Sequence, residues 1–109
     1  MSDVVIVLTS VPSREVGEQI GRALVEARLA ACVNVLPAMT SIYRWKGEVQ
    51  QESEHQLVIK TSRARVAGVQ ERLAALHPYE LPECLVVPVE TGDPAYLAWV
   101  VSESADPST

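Results

Sequence analysis

The sequence predicts an α+β fold in which helices cover one antiparallel sheet. Hydrophobic patterns follow one another along the chain in the order β-α-β-β-α-β-α. Two β-α-β halves joined by a hairpin form a ferredoxin-like sandwich, and 109 residues is the length of one domain. We therefore predict a ferredoxin-like β-α-β-β-α-β sandwich with a long β2-β3 hairpin and an extra C-terminal helix. The single domain is expected over residues 1–103, followed by a flexible C-terminal tail at 104–109.

The first strand and the first helix have clear patterns. The run Val4–Thr9 is apolar without alternation, which is typical of a central strand flanked by other elements. Ser13 can cap a helix, and apolar residues then recur on one helical face at Val16, Ile20, Ala23, Leu24 and Ala27.

A long hairpin is predicted next. The strand that starts at Cys32 is interrupted by Pro37, which indicates an edge strand or a bulged one. It resumes over Thr40–Lys46, turns at Gly47 and returns through a polar stretch into the apolar strand His55–Thr61. The acidic stretch before His55 is interpreted as a solvated hairpin, although its carboxylates can also hold hard cations loosely.

The second half repeats the order helix then strand. Ser62 can cap a helix with one apolar face, and Pro78 ends that helix at His77. A strand is expected at Leu85–Glu90, and Asp93 followed by Pro94 starts a last helix. In the ferredoxin-like order, strands 1 and 3 lie at the centre of the sheet.

Composition argues against several classes of partner. The formal net charge is −5, whereas nucleic acid and anionic membranes attract basic surfaces. No signal peptide and no apolar stretch of ~20 residues is visible, so a cytoplasmic location is expected, without nucleic-acid or membrane partners. Cys32 and Cys84 have no zinc-finger spacing. Predicted on opposite outer strands about 14 Å apart, they are too distant for a disulfide.

The hairpin also predicts self-association. The arm Thr40–Lys46 spans about 24 Å at ~3.4 Å per residue and carries Ile42, Tyr43 and Trp45. Helices 1 and 2 can cover only one face of the sheet, so this arm and the other face stay exposed. Exposed apolar sheet with unpaired edges indicates an interface, unless the arm folds back on its own sheet.

Five short motifs, in order along residues 4 to about 102, carry a family resemblance. They are LAACVN at 29–34, SIYRWKGE at 41–48, Lys60-Thr61, HPYE with Pro82-Glu83 at 77–83, and Gly92 followed by Tyr96-Leu97 and Trp99. In these motifs the chain resembles the CutA family. The resemblance implies a PII-like homotrimer whose hairpins join sheets between subunits. It also implies tolerance of divalent cations, copper above all, and a role in signal transduction without an established enzymatic reaction, so we do not expect an enzyme.

A divalent cation, copper first, is the cofactor that the resemblance implies. His77, Glu80 and Cys32 are the candidate metal ligands, since imidazole and thiolate suit copper and similar cations. His77 can instead cap the carbonyl groups at its helix end. Some relatives have Cys at the position of Thr9 and a second His at the position of Leu76, so this chain lacks two ligands of that set.

A small-ligand pocket between subunits is the alternative binding site. Lys60, Tyr79, Trp45, Arg44 and Trp99 are its candidate residues, because such pockets combine apolar walls with a few convergent polar groups. Each of these side chains also has a structural explanation, the two Trp residues in a core or interface and Lys60 in an ion pair with Glu80.

Two other functions are weighed against these. An enzyme with a Cys/His or His/Glu pair across subunits, such as a small hydrolase, would escape a search for sequence motifs; no GxSxG, P-loop or HExxH motif occurs. An RNA-binding ferredoxin-like domain would carry stacking aromatics on its central strands, and Val4–Thr9 and Leu57–Lys60 have none.

Overall fold

The computed structural model describes residues 2–108 and has the predicted element order. Three helices and four strands follow one another, with a 3₁₀ turn at Arg63–Arg65 before the second helix. The elements are β1 (Val4–Val11), α1 (Arg14–Glu26), β2 (Cys32–Trp45), β3 (Glu48–Ser62), α2 (Val66–Leu76), β4 (Leu85–Pro88) and α3 (Pro94–Glu103).

The strands form one antiparallel sheet in the order β2-β3-β1-β4. Strands 1 and 3 therefore lie at its centre, as the ferredoxin-like prediction requires. Cys32 begins one edge strand and Cys84 immediately precedes the other, and both are free thiols. Strand β4 ends at Pro88 instead of the expected Glu90, although Val89 N still donates to Val4 O at 3.1 Å.

The core lies between one face of the sheet and helices α1 and α2. Its largest buried side chains come from alternating strand positions and from the apolar helix faces predicted above: Val5, Val7, Leu57, Ile59, Ile20, Leu24, Val69 and Leu73. Gly21 lets α1 approach β2 closely, since a Cβ atom there would lie 3.1 Å from Val33 Cγ1. Burial of these side chains supplies the main driving force for folding.

Two of the three predicted helix caps are confirmed. Ser13 Oγ accepts from Val16 N at 3.2 Å, and the Asp93 carboxylate accepts from Tyr96 N at 3.0 Å. Ser62 makes no side-chain cap bond; its neighbour's amide, Arg63 N, donates instead to Asp3 O. The prediction for Ser62 was wrong because a 3₁₀ turn follows this residue, hydrogen-bonded to the residue before β1. Helix α2 therefore begins only at Val66.

The hairpin is a bulged edge structure that projects from the sheet. Its register shifts by one residue between Val35 and Ala38, where Pro37 interrupts the pattern. His55 Nδ1–H donates to Leu36 O at 2.8 Å, so this side chain satisfies the carbonyl group that the bulge leaves unpaired. The polar return arm and the following apolar run form one continuous strand, β3. The Cα radius of gyration, 14.5 Å, exceeds the ~13 Å of a compact chain of this length.

Helix α3 and the segment after it lie against the rest of the chain. Val100 is buried, and Arg28 contacts Glu103 at 3.6 Å. Within the predicted tail, Ser104 is buried and Asp106 lies 3.7 Å from Arg65; Thr109 lies outside the described residues, and flexibility of 104–109 stays a prediction. Across residues 2–108, no helix is both long and apolar enough to cross a membrane.

Candidate functional site

A cleft of about 710 Å³ lies between the hairpin and the loop that follows α2. We call it the acidic cleft, because its described lining includes four carboxylates but no Lys, Arg or His. The lining residues are Ser10, Met39, Ser41, Tyr43, Trp45, Glu52, Glu54, Gln56, Pro78, Tyr79, Glu80, Leu81 and Glu83.

The β-bulge decides which side chains face the cleft. Before the bulge, Cys32 and Asn34 lie opposite Lys60 and Val58; after it, Met39 lies opposite Glu54. The extra residue changes the facing positions of β2 from even to odd numbers, because side chains alternate along a strand. Tyr43 and Trp45 are thereby on the same face as the even-numbered positions of β3.

Two phenol–carboxylate pairs organise the cleft. Tyr79 Oη–H donates to Glu54 Oε2 at 2.6 Å, and Tyr43 Oη–H donates to Glu52 Oε1 at 2.8 Å. Burial and then the bond to Glu54 raise the pKa of Tyr79 far above its usual value of 10.0. The bond to Glu52 is the main cause that raises the pKa of Tyr43. Both rings therefore stay protonated donors at neutral pH.

Gln56 ties the loop to the sheet. Its Nε2 donates to Thr9 O at 2.6 Å and to Glu83 Oε1 at 3.0 Å. Glu83 is thus held by a neutral amide, just as Glu54 and Glu52 are held by neutral phenols. No ion pair within residues 2–108 involves any of the four carboxylates of the cleft.

His77 connects the loop after α2 to strand β1 through both of its ring nitrogens. The side chain is 8% exposed, its Nε2 lies 2.8 Å from Ser10 O, and its Nδ1 accepts from Tyr79 N at 3.2 Å. A carbonyl oxygen can only accept and an amide can only donate, so we assign the hydrogen to Nε2. In this chain the ring does not cap the carbonyl groups of α2, and both of its nitrogens are hydrogen-bonded. A metal-binding role for His77 stays a prediction.

The predicted metal ligands do not meet within one chain. Cys32 pairs with Lys60 on β3, whereas Ser10, which His77 contacts, pairs with Gln56. Four residues along a strand correspond to about 13 Å, so Cys32 and His77 cannot share an ion. Glu80 is exposed at the cleft. Among residues 2–108, no group of three or more His, Cys, Asp or Glu side chains is placed to hold a metal.

Thr9 and Leu76 occupy the two positions at which the resemblance implies further metal ligands, and neither lines the acidic cleft. Thr9 is fully buried on the core side of β1, while Leu76 is exposed at the end of α2. The residues of this chain therefore do not fit the soft-metal cluster that the resemblance implies.

The predicted pocket is divided among three places. Tyr79 and Trp45 line the acidic cleft, while Arg44 points to the opposite face of the hairpin, because neighbours on a strand alternate. Its Nη1 donates to Gly47 O at 3.3 Å. Lys60 and Trp99 belong to a separate cluster around Tyr96. Lys60 Nζ lies 6.0 Å from the centroid of the Tyr96 ring, and the centroids of the Tyr96 and Trp99 rings are 5.6 Å apart.

Sequence reasoning did not assign Tyr43, Glu52, Glu54 or Gln56 to a pocket. A signal was present in the alternation of Glu52, Glu54 and Gln56 on the return arm opposite Tyr43 and Trp45. Interpreting that pattern required two further features. One is the bulge, which sets the pairing of the two arms, and the other is the position of the loop after α2, which no local pattern encodes.

Comparisons with known proteins agree with this fold. Residues 5–103 match the protein family described as CutA1 divalent ion tolerance protein. The chain is 50% identical over 95 residues to the divalent-cation tolerance protein CutA of Thermus thermophilus, covering 87% of this chain and 92% of that protein. It is 48% identical over 99 residues to protein CutA of Mus musculus, covering 89% of this chain but only 56% of the mouse protein.

Solved structures show the same architecture. The crystal structure of CutA from Xylella fastidiosa superposes with a TM-score of 0.93 at 45% identity, covering 95% of this chain and 100% of that one. This chain therefore belongs to the CutA1 divalent ion tolerance protein family.

Proposed function

We propose that this chain acts in divalent-cation tolerance as a homotrimeric signalling module that binds an effector in the acidic cleft. The observation that carries the proposal is the cleft itself, about 710 Å³ in volume and lined by apolar walls, aromatic rings and four carboxylates. Pockets of this size with a few oriented polar groups are typical of small-ligand sites. The role proposed is binding rather than catalysis, and the proposed location is the cytoplasm.

Exposed apolar surface supports the trimer. Ile42 and Val49 on the hairpin are 67% and 64% exposed, and Leu85 on the edge strand β4 is 55% exposed. Both outer strands also present unpaired backbone groups, which favour pairing with another chain. A lone subunit therefore leaves exposed both a sheet edge and the apolar side chains beside it, the combination typical of an interface.

The chemistry of the cleft favours one kind of effector over another. Carboxylate oxygens suit hard cations and charged small ligands, whereas copper prefers imidazole and thiolate. Because His77 is engaged on both nitrogens, we favour a PII-like small-ligand site without a specific copper centre. The alternative, a direct copper or zinc site at His77, Glu80 and Cys32, requires ligands from more than one subunit.

Calorimetric titration separates these two alternatives. Copper, zinc and magnesium are titrated separately into the wild-type protein and into His77→Ala, with Glu71→Gln on the exposed face of α2 as the control. We expect any copper or zinc binding to be unchanged in His77→Ala, with unfolding midpoints measured alongside to show that the variant is folded. Loss of stoichiometric copper binding in a folded His77→Ala protein would establish the direct metal site instead.

The cellular role is tested by growth. A strain that lacks this gene is grown in graded copper, zinc and cobalt and complemented with the wild type or with the double variant Glu52→Gln/Glu54→Gln. The proposal expects restored tolerance with the wild type and reduced tolerance with the double variant at equal protein levels. Equal growth of the complemented and uncomplemented strains in every cation would reject it.

A further inference from the structure

We propose that the acidic cleft binds an organic ammonium ion, with Glu54 as its anionic anchor and a short aliphatic diamine as the matching ligand class. This inference deepens the proposed function, since it names the chemistry of the ligand for the same cleft. It rests on the environment of Glu54, on the aromatic walls and on the spacing of the carboxylates.

Glu54 is the most buried carboxylate of the cleft and lacks a counter-charge. The residue is only 7% exposed, and its one described partner is the neutral phenol of Tyr79, on Oε2. Among residues 2–108, nothing donates to Oε1, although Glu54 lines the cleft. A buried carboxylate is stable when a cation or further hydrogen bonds compensate it, and here the open side of the cleft is where that cation can bind.

The aromatic side chains of the cleft suit an ammonium group. Tyr43, Trp45 and Tyr79 line it together with the apolar side chains of Met39 and Leu81. Cations are attracted to the faces of such rings, and apolar walls favour a ligand with a hydrocarbon chain. The Trp45 ring already has one such contact inside the molecule, with Lys46 Nζ 5.6 Å from its centroid.

The spacing of the carboxylates points to an extended dication rather than to a metal ion. Glu52 and Glu54 lie two positions apart on the same face of β3, which corresponds to about 7 Å. A metal ion needs its oxygen ligands at about 2.0–2.6 Å from one point, and no such group of described side chains exists. Two ammonium groups joined by a short aliphatic chain can instead reach each carboxylate separately.

The test is titration of 1,4-diaminobutane into the full-length protein at low ionic strength, followed by calorimetry. We expect saturable binding to the wild type and at least a tenfold weaker affinity for Glu54→Gln. The control variant Glu71→Gln changes an exposed carboxylate outside the cleft and should bind like the wild type. The neutral compound 1,4-butanediol, which has the same chain without the charges, should not bind.

A second variant separates ligand binding from damage to the fold. Tyr79→Phe keeps the ring but removes the phenol that now occupies Glu54 Oε2, so diamine affinity should be kept or increased. Loss of binding in Tyr79→Phe, equal affinity in the wild type and Glu54→Gln, or equal binding of the diol would each overturn the inference. So would a wild type that shows no diamine binding.

Failure of the inference can be distinguished from failure of the proposed function. If the protein is a trimer and restores cation tolerance but does not bind the diamine, only the proposed ligand class is contradicted. A monomer that sustains no tolerance yet binds the diamine through Glu54 contradicts only the function. A competition titration with magnesium gives a further readout, because magnesium displacing the diamine at equal concentration would mark the cleft as a general cation site and reject the diamine as its matching ligand.

Discussion

Two threonines on the core side of the central strands differ in one hydrogen bond. Thr61 Oγ1 donates to Leu29 O at 2.7 Å, whereas Thr9 Oγ1 is buried with no partner in the described part of the chain. Both residues are fully buried. A buried polar group without a partner lowers the free energy of unfolding. A buried group that is hydrogen-bonded raises it by about 1 kcal/mol. The hydroxyl of Thr9 therefore lowers stability, because no hydrogen bond in the described residues compensates its burial.

The first prediction concerns this pair. Thr9→Val should raise the free energy of unfolding by about 1 kcal/mol, because it removes an unsatisfied hydroxyl and keeps the shape of the side chain. The matched change Thr61→Val should lower it by ~1–2 kcal/mol, since it leaves Leu29 O unpaired. Urea unfolding of both variants measures the difference. Similar destabilisation by the two changes would show that Thr9 Oγ1 has a partner after all.

The second prediction concerns the tyrosines. The pKa values of Tyr79 and Tyr43 are raised, so the folded protein resists their ionisation. Their contribution to stability is complete below the unfolded pKa of about 10 and is lost as pH rises further. We expect tyrosine absorbance to show a late-titrating component that disappears in Tyr79→Phe. Glu54→Gln should move this component to lower pH, though not to 10, because burial is the larger cause.

At the scale of elements, the hairpin owes its cleft to one bulge. Pro37 interrupts β2, the register shifts between Val35 and Ala38, and His55 satisfies Leu36 O. A hairpin paired without the extra residue would turn Ile42 and Arg44 toward the carboxylates of β3 and Tyr43 and Trp45 away from them. Local backbone chemistry at the bulge thus sets which side chains of β2 face the cleft, from Met39 to Trp45.

The third prediction tests this role of His55. Replacing it in His55→Ala leaves the Leu36 carbonyl without its side-chain donor, so we expect a loss of about 1 kcal/mol in the free energy of unfolding. Thr40→Ala, an exposed position on the facing strand β2 of the same hairpin, serves as the control and should have a smaller effect. Unfolding in urea provides the measurement. An unchanged midpoint in His55→Ala would mean that the bulge is held by its backbone alone.

At the scale of the whole molecule, the chain is elongated, with extents of 45 × 27 × 23 Å. Helices α1 and α2 cover one face of the sheet, and the hairpin extends past the end of β1 without a partner strand on that side, because β1 ends opposite His55. This shape leaves apolar side chains exposed on the arm and on β4. Association with further copies would complete the sheet edges as well as cover these residues.

The fourth prediction concerns this association. Wild-type protein at micromolar concentration should have three times the 11.9 kDa chain mass by light scattering, and Ile42→Arg should reduce that mass by placing a charge in the interface. Val25→Arg, also at an exposed apolar position but on α1, is the control and should remain a trimer. A monomeric wild type would contradict the proposed assembly.

Sequence patterns were sufficient to predict the element order, the central position of strands 1 and 3, the caps at Ser13 and Asp93 and the interruption at Pro37. These features follow from local periodicity and backbone chemistry, which a sequence displays directly. Five motifs were also enough to indicate the family.

Which side chains share the acidic cleft depended on the tertiary structure. Within one chain, the fold separates Arg44, Lys60 and Trp99 from Trp45 and Tyr79, and it places the His77 ring between Ser10 and Tyr79. The physical reason is that a site depends on pairing register and loop closure between distant segments, and a single extra residue in one strand reverses every side chain beyond it.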